Sequence, residues 1–377
     1  MPDKHSALPP SSSKMWINCP PSAKRNAEVT DQPSEYAAQG TEAHALCEYK
    51  LLTFLGKPAT DPRPNLKYLD QEMEDCSDGY VEFVSEIVSK SQNPIVMVEQ
   101  RLDISEYAPE SFGTGDAVIV ADGNLHICDM KYGKGIPVSA GSDEEGVNTQ
   151  LAMYALGALS AFDGIYDIDT VSMSIYQPRL NVAETYTVTK EALLTWAKEV
   201  LIPAAEKASK GEGEYCAGSH CQFCKVKNIC RKRAEYNLEM ARYDFAKPDD
   251  LEDAEIEAIL ARADEFISWA NGIKEYALEA AIGGKAWSDF KLVEGRSIRK
   301  YTSESDVVKA VKGAGYDPYE KKVLGITAMT KLLGKKQFDE LLGGLIAKPP
   351  GAPTLVPMSD KRPALKATAK DDFKEEQ

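Results

Sequence analysis

Two aspartates and a lysine near the middle of the chain are the residues best placed to do chemistry. The stretch GDAVIVADGNLHICDMKYGKG, residues 115–135, is apolar almost throughout, yet it carries Asp116 near one end and Asp129 with Lys131 near the other. Asp122-Gly123 in its middle is a strong signal for a two-residue hairpin turn. With those two residues at the turn, Val120 faces Leu125, Val118 faces Ile127 and Asp116 faces Asp129. Directly opposed side chains on one face have β-carbons about 5 Å apart. Lys131 lies two residues past Asp129 and shares its face. Two carboxylates and an ammonium therefore converge at one end of an apolar sheet. Like charges so placed repel, and burial raises the cost. A divalent cation between them offsets it, since Mg²⁺ is held by one or two carboxylates plus waters and substrate phosphates. The alternative is that the strand ends are solvated and Lys131 simply pairs with Asp129.

Two further pairs add candidates. Gln150 and Tyr154 are four residues apart and are the polar members of an otherwise apolar helical stretch, so they share a face. Taken alone they read equally as a helix start and an ordinary buried tyrosine. His44 and Glu48 are also four apart. Such a pair is commonly structural; beside a carboxylate site it supplies a metal ligand and a group that orients it.

The elements that must position these residues follow from periodicity and punctuation. GTEAHALCEYKLLTFLG (40–56) reads as a helix capped by Thr41 and closed near Gly56. NPIVMVEQRLDIS (93–105) reads as a strand, and the quoted stretch as two more. VNTQLAMYALGALSAF (147–162) is a helix apolar nearly all round and so should be buried. DTVSMSIYQPR (169–179) is a strand ended by Pro178. The order helix, three strands, helix, strand predicts an α/β fold with a mixed sheet flanked by helices.

Residues 1–13 are Pro/Ser-rich and predict disorder. After about residue 247 the character changes. Leu251 to Ile282 reads as one long helix on which Ile259, Ala263, Phe266, Ala270, Ile273 and Ala277 form a coiled-coil-like seam. That seam packs either on its own domain or against a second copy in a homo-oligomer. A short strand (KLVEGRSIRKY), small helices to about Ile346 and an extended or disordered 347–377 tail complete the chain. The expected domains are 14–240 and a mainly helical accessory domain at 247–346.

Cysteines cluster at Cys216, Cys221, Cys224 and Cys230, with gaps of four, two and five residues. The C-x-x-C pair lets two thiolates grip one metal centre. Zinc would use four local ligands, with His220 as a further option. An iron–sulfur cluster would take four thiolates, some from distant parts of the chain. Cys47, Cys76 and Cys128 read as ordinary thiols.

The order His44, Asp116, Asp129-x-Lys131, Gln150-x-x-x-Tyr154 resembles the PD-(D/E)xK nuclease superfamily, and within it the RecB-like branch that includes AddB-type and CRISPR-associated exonucleases. The resemblance covers roughly residues 14–235. It implies a restriction-endonuclease-like core of αβββαβ order and metal-dependent hydrolysis of DNA phosphodiesters. It implies that His44, Asp116 and Asp129 hold Mg²⁺ or Mn²⁺, that Asp116, Asp129, Lys131, Gln150 and Tyr154 form the catalytic set, and that Lys134 and Arg179 are DNA-binding candidates. The RecB-like iron–sulfur nucleases draw one cysteine from before the first motif and three from after the core. That pattern implies a 4Fe-4S cluster on Cys19, Cys221, Cys224 and Cys230. Cys216 departs from it, is an alternate ligand, and keeps zinc open. A free-standing protein of this kind is similar to phage or prophage recombination or repair exonucleases, whose partners would be DNA and a phage single-strand-binding or annealing protein. The rival is a catalytically inactive DNA-binding or scaffold protein stabilised by a zinc or iron–sulfur site.

Bulk properties limit the choices. The 377 residues suffice for two domains, and 43% hydrophobic with 27% charged residues is ordinary for a globular protein. No apolar run is long enough to span a bilayer. The N-terminus lacks the apolar core of a signal peptide, so a cytoplasmic protein is expected. There the eight cysteines point to metal binding, catalysis or plain burial rather than disulfides. A net charge of −15 argues against a broad basic surface, not against a local basic groove.

Overall fold

The computed structural model describes residues 6–30, 34–239, 251–294, 301–319 and 323–347. The chain divides into two units, Met1–Ala277 and Leu278–Gln377. The first opens with helices α1 (Ser13–Asn18), α2 (Pro21–Ala27), α3 (Glu35–Phe54) and α4 (Gln71–Lys90). Strands β1 (Ile95–Asp103), β2 (Phe112–Ala121) and β3 (Asn124–Met130) follow. A small ribbon, β4 (Gly141–Ser142) with β5 (Gly146–Val147), leads into α5 (Thr149–Phe162). Next come β6 (Thr170–Gln177) and β7 (Val182–Thr189). Helix α6 (Lys190–Trp196) continues through a π-helical turn, Ala197–Leu201, into α7 (Ile202–Lys210), and α8 (Arg231–Leu238) comes after the cysteine segment.

The main sheet has strand order β1-β2-β3-β6-β7, parallel only between β3 and β6. Helix α5 supplies the crossover that a parallel pair requires. Strand alternation divides the core in two. Val118, Val120, Leu125 and Ile127 pack with α5, whereas Ala117, Ile119, Cys128 and Met130 pack with α3 and α4. The expected mixed sheet between helical layers is therefore present, with α4 and β7 as additions. Helix α4 had a readable signal: Met73, Cys76, Ser77, Tyr80 and Val84 are buried at helical spacing.

The Asp122-Gly123 turn forms as expected, with φ of 53° and 72°. Its positive φ at both central positions matches the twist of the flanking strands. Val120 pairs with Leu125 and Val118 with Ile127, and the ladder ends at Ala117–Cys128. Helix α5 is buried from Leu151 to Leu159 and capped by Asn148, whose side chain accepts from the N–H groups of Gln150 and Leu151. That cap fixes Gln150 in the first turn.

Three expectations are corrected. Residues 6–13, read as disordered, are packed: Leu8 is 1% exposed in the main core and Ser111 Oγ donates to its carbonyl at 2.7 Å. One apolar anchor followed by two stiff prolines outweighs the polar composition; residues 1–5 lie outside the described residues. Thr41 is not a helix cap, because α3 starts at Glu35 and Thr41 Oγ1 donates back to Ala37 O inside it. Residues 291–294 are not strand, and 295–300 lie outside the described residues, as does the tail from 348.

The later part is mainly helical: α9 (Asp253–Ile282), α10 (Glu304–Gly313), α11 (Ile326–Leu333) and α12 (Lys335–Leu342). The boundary between units falls within α9. Its earlier part packs on the first unit, with Arg262 stacked 3.9 Å from the Tyr236 ring and Gly272 against Asn228. Among the described residues no helix is long and apolar enough to cross a membrane.

Candidate active site and cysteine pocket

The two acidic residues of β1 and β2 sit at a break in an otherwise regular ladder. Strand β1 pairs with β2 in one register on both sides of Glu99 and Asp116, Val98 with Ala117 and Gln100 with Gly115, but those two residues are skipped. Glu99 has φ of 49°, a conformation that costs a non-glycine residue about 1–3 kcal/mol. The distortion brings Glu99 beside Asp116 and beside His44 of α3. One ligand atom from each of His44, Glu99 and Asp116 lies within 4.8 Å of the others. His44 Nδ1 is 3.3 Å from Asp116 Oδ1, while Asp116 Oδ2 accepts from Met130 N–H at 2.7 Å. Asp116 thus orients His44, a role expected of Glu48; among the described residues no hydrogen bond joins Glu48 to His44.

Electrostatics mark this as an under-compensated anionic site. Burial, then the neighbouring Asp116 carboxylate, pushes Glu99 up to about 7. Burial alone would lower His44, but Asp116 beside it raises it to about 9. A nitrogen and two carboxylate oxygens at this spacing fit a hard divalent cation such as Mg²⁺ or Mn²⁺.

Asp129 and Lys131 stand next to this group. Asp129 is 3% exposed and its Oδ2 lies 2.9 Å from Lys131 Nζ. Lys131 Nζ donates to Gln150 Oε1 at 3.0 Å. Gln150 Nε2 reaches Asp129 Oδ1 at 3.3 Å and the Tyr154 hydroxyl at 3.1 Å. One glutamine thereby spans the acid, the lysine and the tyrosine. Burial raises Asp129 despite the opposing lysine. Burial lowers Lys131, but the Asp129 carboxylate more than offsets it and the ammonium is held charged. Burial also raises Tyr154, keeping its hydroxyl protonated.

The structure thus gathers His44, Asp116, Asp129, Lys131, Gln150 and Tyr154 at one end of the sheet. Asp129, expected as a metal ligand, falls outside the three-residue ligand group and faces Lys131 and Gln150. Glu99 was missed. Its signal lay in the β1–β2 register, which places it opposite Asp116; the intervening residues 104–111 give no turn motif that fixes that register. Lys134 is exposed. Arg179 is drawn inward: it stacks 4.5 Å from the Tyr132 ring and pairs with Glu72 at 2.9 Å.

A second group lies elsewhere. Cys19, Cys216, Cys221, Cys224 and Cys230 line one pocket with His220, Lys227 and Arg233. Among the described residues no three of these sulfurs lie within 4.8 Å of one another, so no preformed thiolate metal centre is present. Asn26 of α2 holds the pocket together: its Nδ2 donates to Cys224 Sγ at 3.3 Å and its Oδ1 accepts from Lys225 N–H at 2.6 Å. The Ser22 N–H donates to the Cys19 carbonyl at 2.8 Å, and burial raises the Cys19 thiol. Cys47, Cys76 and Cys128 are buried in the α3–α4 layer, as expected of ordinary thiols.

One solved structure, described as a crystal structure of SSO0001, is similar to this chain at 10% identity over 59% of this chain and 96% of that one, with a TM-score of 0.23. The family described as "Protein of unknown function (DUF2800)" matches residues 5–363, so the chain, with its cation-suited end of the sheet and its separate cysteine pocket, belongs to that family.

Proposed function

We propose that this protein is a divalent-metal-dependent nuclease that hydrolyses DNA phosphodiester bonds. The observation that supports this reading is the meeting, at one ladder break, of the His44–Glu99–Asp116 group with the Asp129–Lys131–Gln150–Tyr154 network. His44, Glu99 and Asp116 would hold the cation, and Asp129 would join them when Lys131 turns to substrate. Such a cation, when bound, polarises the phosphate and lowers the pKa of an attacking water. Lys131 places a fixed positive charge beside the bond being broken, where phosphoryl negative charge grows. Gln150 aims that ammonium, and Tyr154 aims Gln150.

A 4Fe-4S cluster is the cofactor proposed for the cysteine pocket, with zinc as the alternative. Four sulfurs on one zinc, each about 2.3 Å from it, sit less than 4 Å apart, closer than any three here. A cluster interposes its own atoms and accepts wider spacing. Cys19, Cys221, Cys224 and Cys230 would be its ligands, and a role in phage or prophage DNA recombination or repair accords with that architecture.

The test is digestion of labelled linear DNA by purified protein in Mg²⁺ or Mn²⁺. We expect metal-dependent cleavage, lost on EDTA addition and reduced at least ~100-fold in Asp116→Ala and Lys131→Ala with unchanged circular dichroism. Metal binding and DNA binding without cleavage would replace this reading with that of an inactive DNA-binding protein.

A further inference from the structure

The loop that follows Lys131 is fastened from beneath by one buried side chain. Gln177, the last residue of β6, is 2% exposed. Its Nε2 donates to the carbonyls of Gly133 at 2.7 Å and Ile136 at 2.9 Å, and its Oε1 accepts from Val138 N–H at 3.0 Å. Both amide hydrogens and an oxygen lone pair are devoted to residues 133–138. The neighbouring Tyr176 carbonyl accepts from Lys131 N–H at 2.8 Å. The end of one strand therefore anchors both the lysine and the loop beyond it.

The other side of that loop is open. Residues 133–137 are exposed, and a β-carbon built on Gly133 or Gly135 would meet nothing within 4 Å. Among the described residues, the N–H groups of Gly133, Lys134 and Gly135 donate no hydrogen bond. A planar trans peptide holds its C=O and N–H on opposite sides. With the Gly133 carbonyl aimed at Gln177, the Lys134 N–H must point away from it, toward the open side. At the second anchor Ile136 is followed by Pro137, which has no N–H to expose. Unpaired backbone donors and an ammonium on a glycine-flanked loop are the chemistry of an anion cradle. Fixing the loop before binding reduces the ordering cost of using it.

We propose that residues 133–135 form a phosphate subsite for a nucleic-acid backbone phosphate adjacent to the scissile one, and that Gln177 is the positioning residue that holds it in place. This rests on the nuclease reading and adds to it where the strand lies beyond Lys131. Lys134 makes the contact; Gln177 acts only through the loop.

The experiment is fluorescence anisotropy of a short fluorescein-labelled single strand, with Ca²⁺ in place of Mg²⁺, over a series of KCl concentrations. Wild type, Lys134→Gln, Gln177→Leu and the double variant are compared. Losing one phosphate contact on a single strand lowers the log–log salt slope by about 0.7. Each single variant should show that fall with binding weakened roughly three- to tenfold, and the double variant should match the singles. If Gln177→Leu does not fold, Gln177→Glu is measured instead, since it keeps the Val138 bond and loses the two carbonyl bonds. An unchanged slope in Lys134→Gln, in a wild type that binds and cleaves DNA, overturns the subsite and leaves the nuclease reading standing. A Gln177 variant with a lower melting temperature but an unchanged slope overturns its positioning role. A wild type with no salt-dependent binding overturns both proposals.

Discussion

Glu99 combines three costs in one residue: a left-handed backbone, a half-buried carboxylate and a like-charged neighbour. Each opposes folding, and His44, which pairs with Asp116, offsets them only in part. Such a residue is retained where a ligand relieves it. The expected signature is opposite effects of one substitution. Glu99→Gln should raise the melting temperature in EDTA by removing one of the repelling carboxylates. It should also weaken Mn²⁺ binding in calorimetry. Loss of a group that merely supports a ligand costs about 10–100-fold in affinity, and loss of a ligand should cost at least that. Unchanged Mn²⁺ affinity would remove Glu99 from the site.

At the scale of elements, the sequence made local features legible and left pairings hidden. The Asp122-Gly123 turn fixed the β2–β3 register because two residues determine it. The all-apolar α5 announced its own burial, and with it the places of Gln150 and Tyr154. Glu99 and Gln177 were not legible, since one depends on β1–β2 register across a loop without a motif and the other on the path of a loop after β3. The same sheet carries a pH-sensitive seam. His126 of β3 is 8% exposed and bonds Ser174 of β6 at 2.7 Å, and Ser174 bonds Thr185 of β7 at 2.6 Å. Burial lowers His126 from 6.5 to about 4. Between those values the unfolded chain binds the proton and the folded one does not, so stability is complete above 6.5 and falls as pH drops toward 4. The full effect is on the order of 3 kcal/mol. Urea unfolding at pH 7 and pH 4.5 should show a smaller acid loss in His126→Asn than in wild type. Equal losses would mean that another group carries the effect.

Across the whole molecule, the cysteine pocket links the first helices to the segment after the sheet. Cys19 sits between α1 and α2, and Cys221, Cys224 and Cys230 lie before α8. The protein contacts bridging this gap include a small apolar cluster of Met15, Cys224 and Val226, the Asn26 bonds to Cys224 and Lys225, and the Lys225 Nζ bond to the Val29 carbonyl. The proposed cluster, bound by all four thiolates, would close a loop of about two hundred residues, which by loop-closure entropy would be worth about 5 kcal/mol. That is comparable to the whole stability of many domains, so loss of one distant ligand should be felt throughout the chain. Anaerobically purified protein should absorb broadly in the visible. Cys19→Ser should abolish that band and lower the melting temperature sharply, whereas Cys216→Ser, which alters an exposed thiol, should keep both. Loss of the band in Cys216→Ser with retention in Cys19→Ser would place the ligands wholly within 216–230. The N-terminal helices would then be held by packing and by the Asn26 and Lys225 hydrogen bonds.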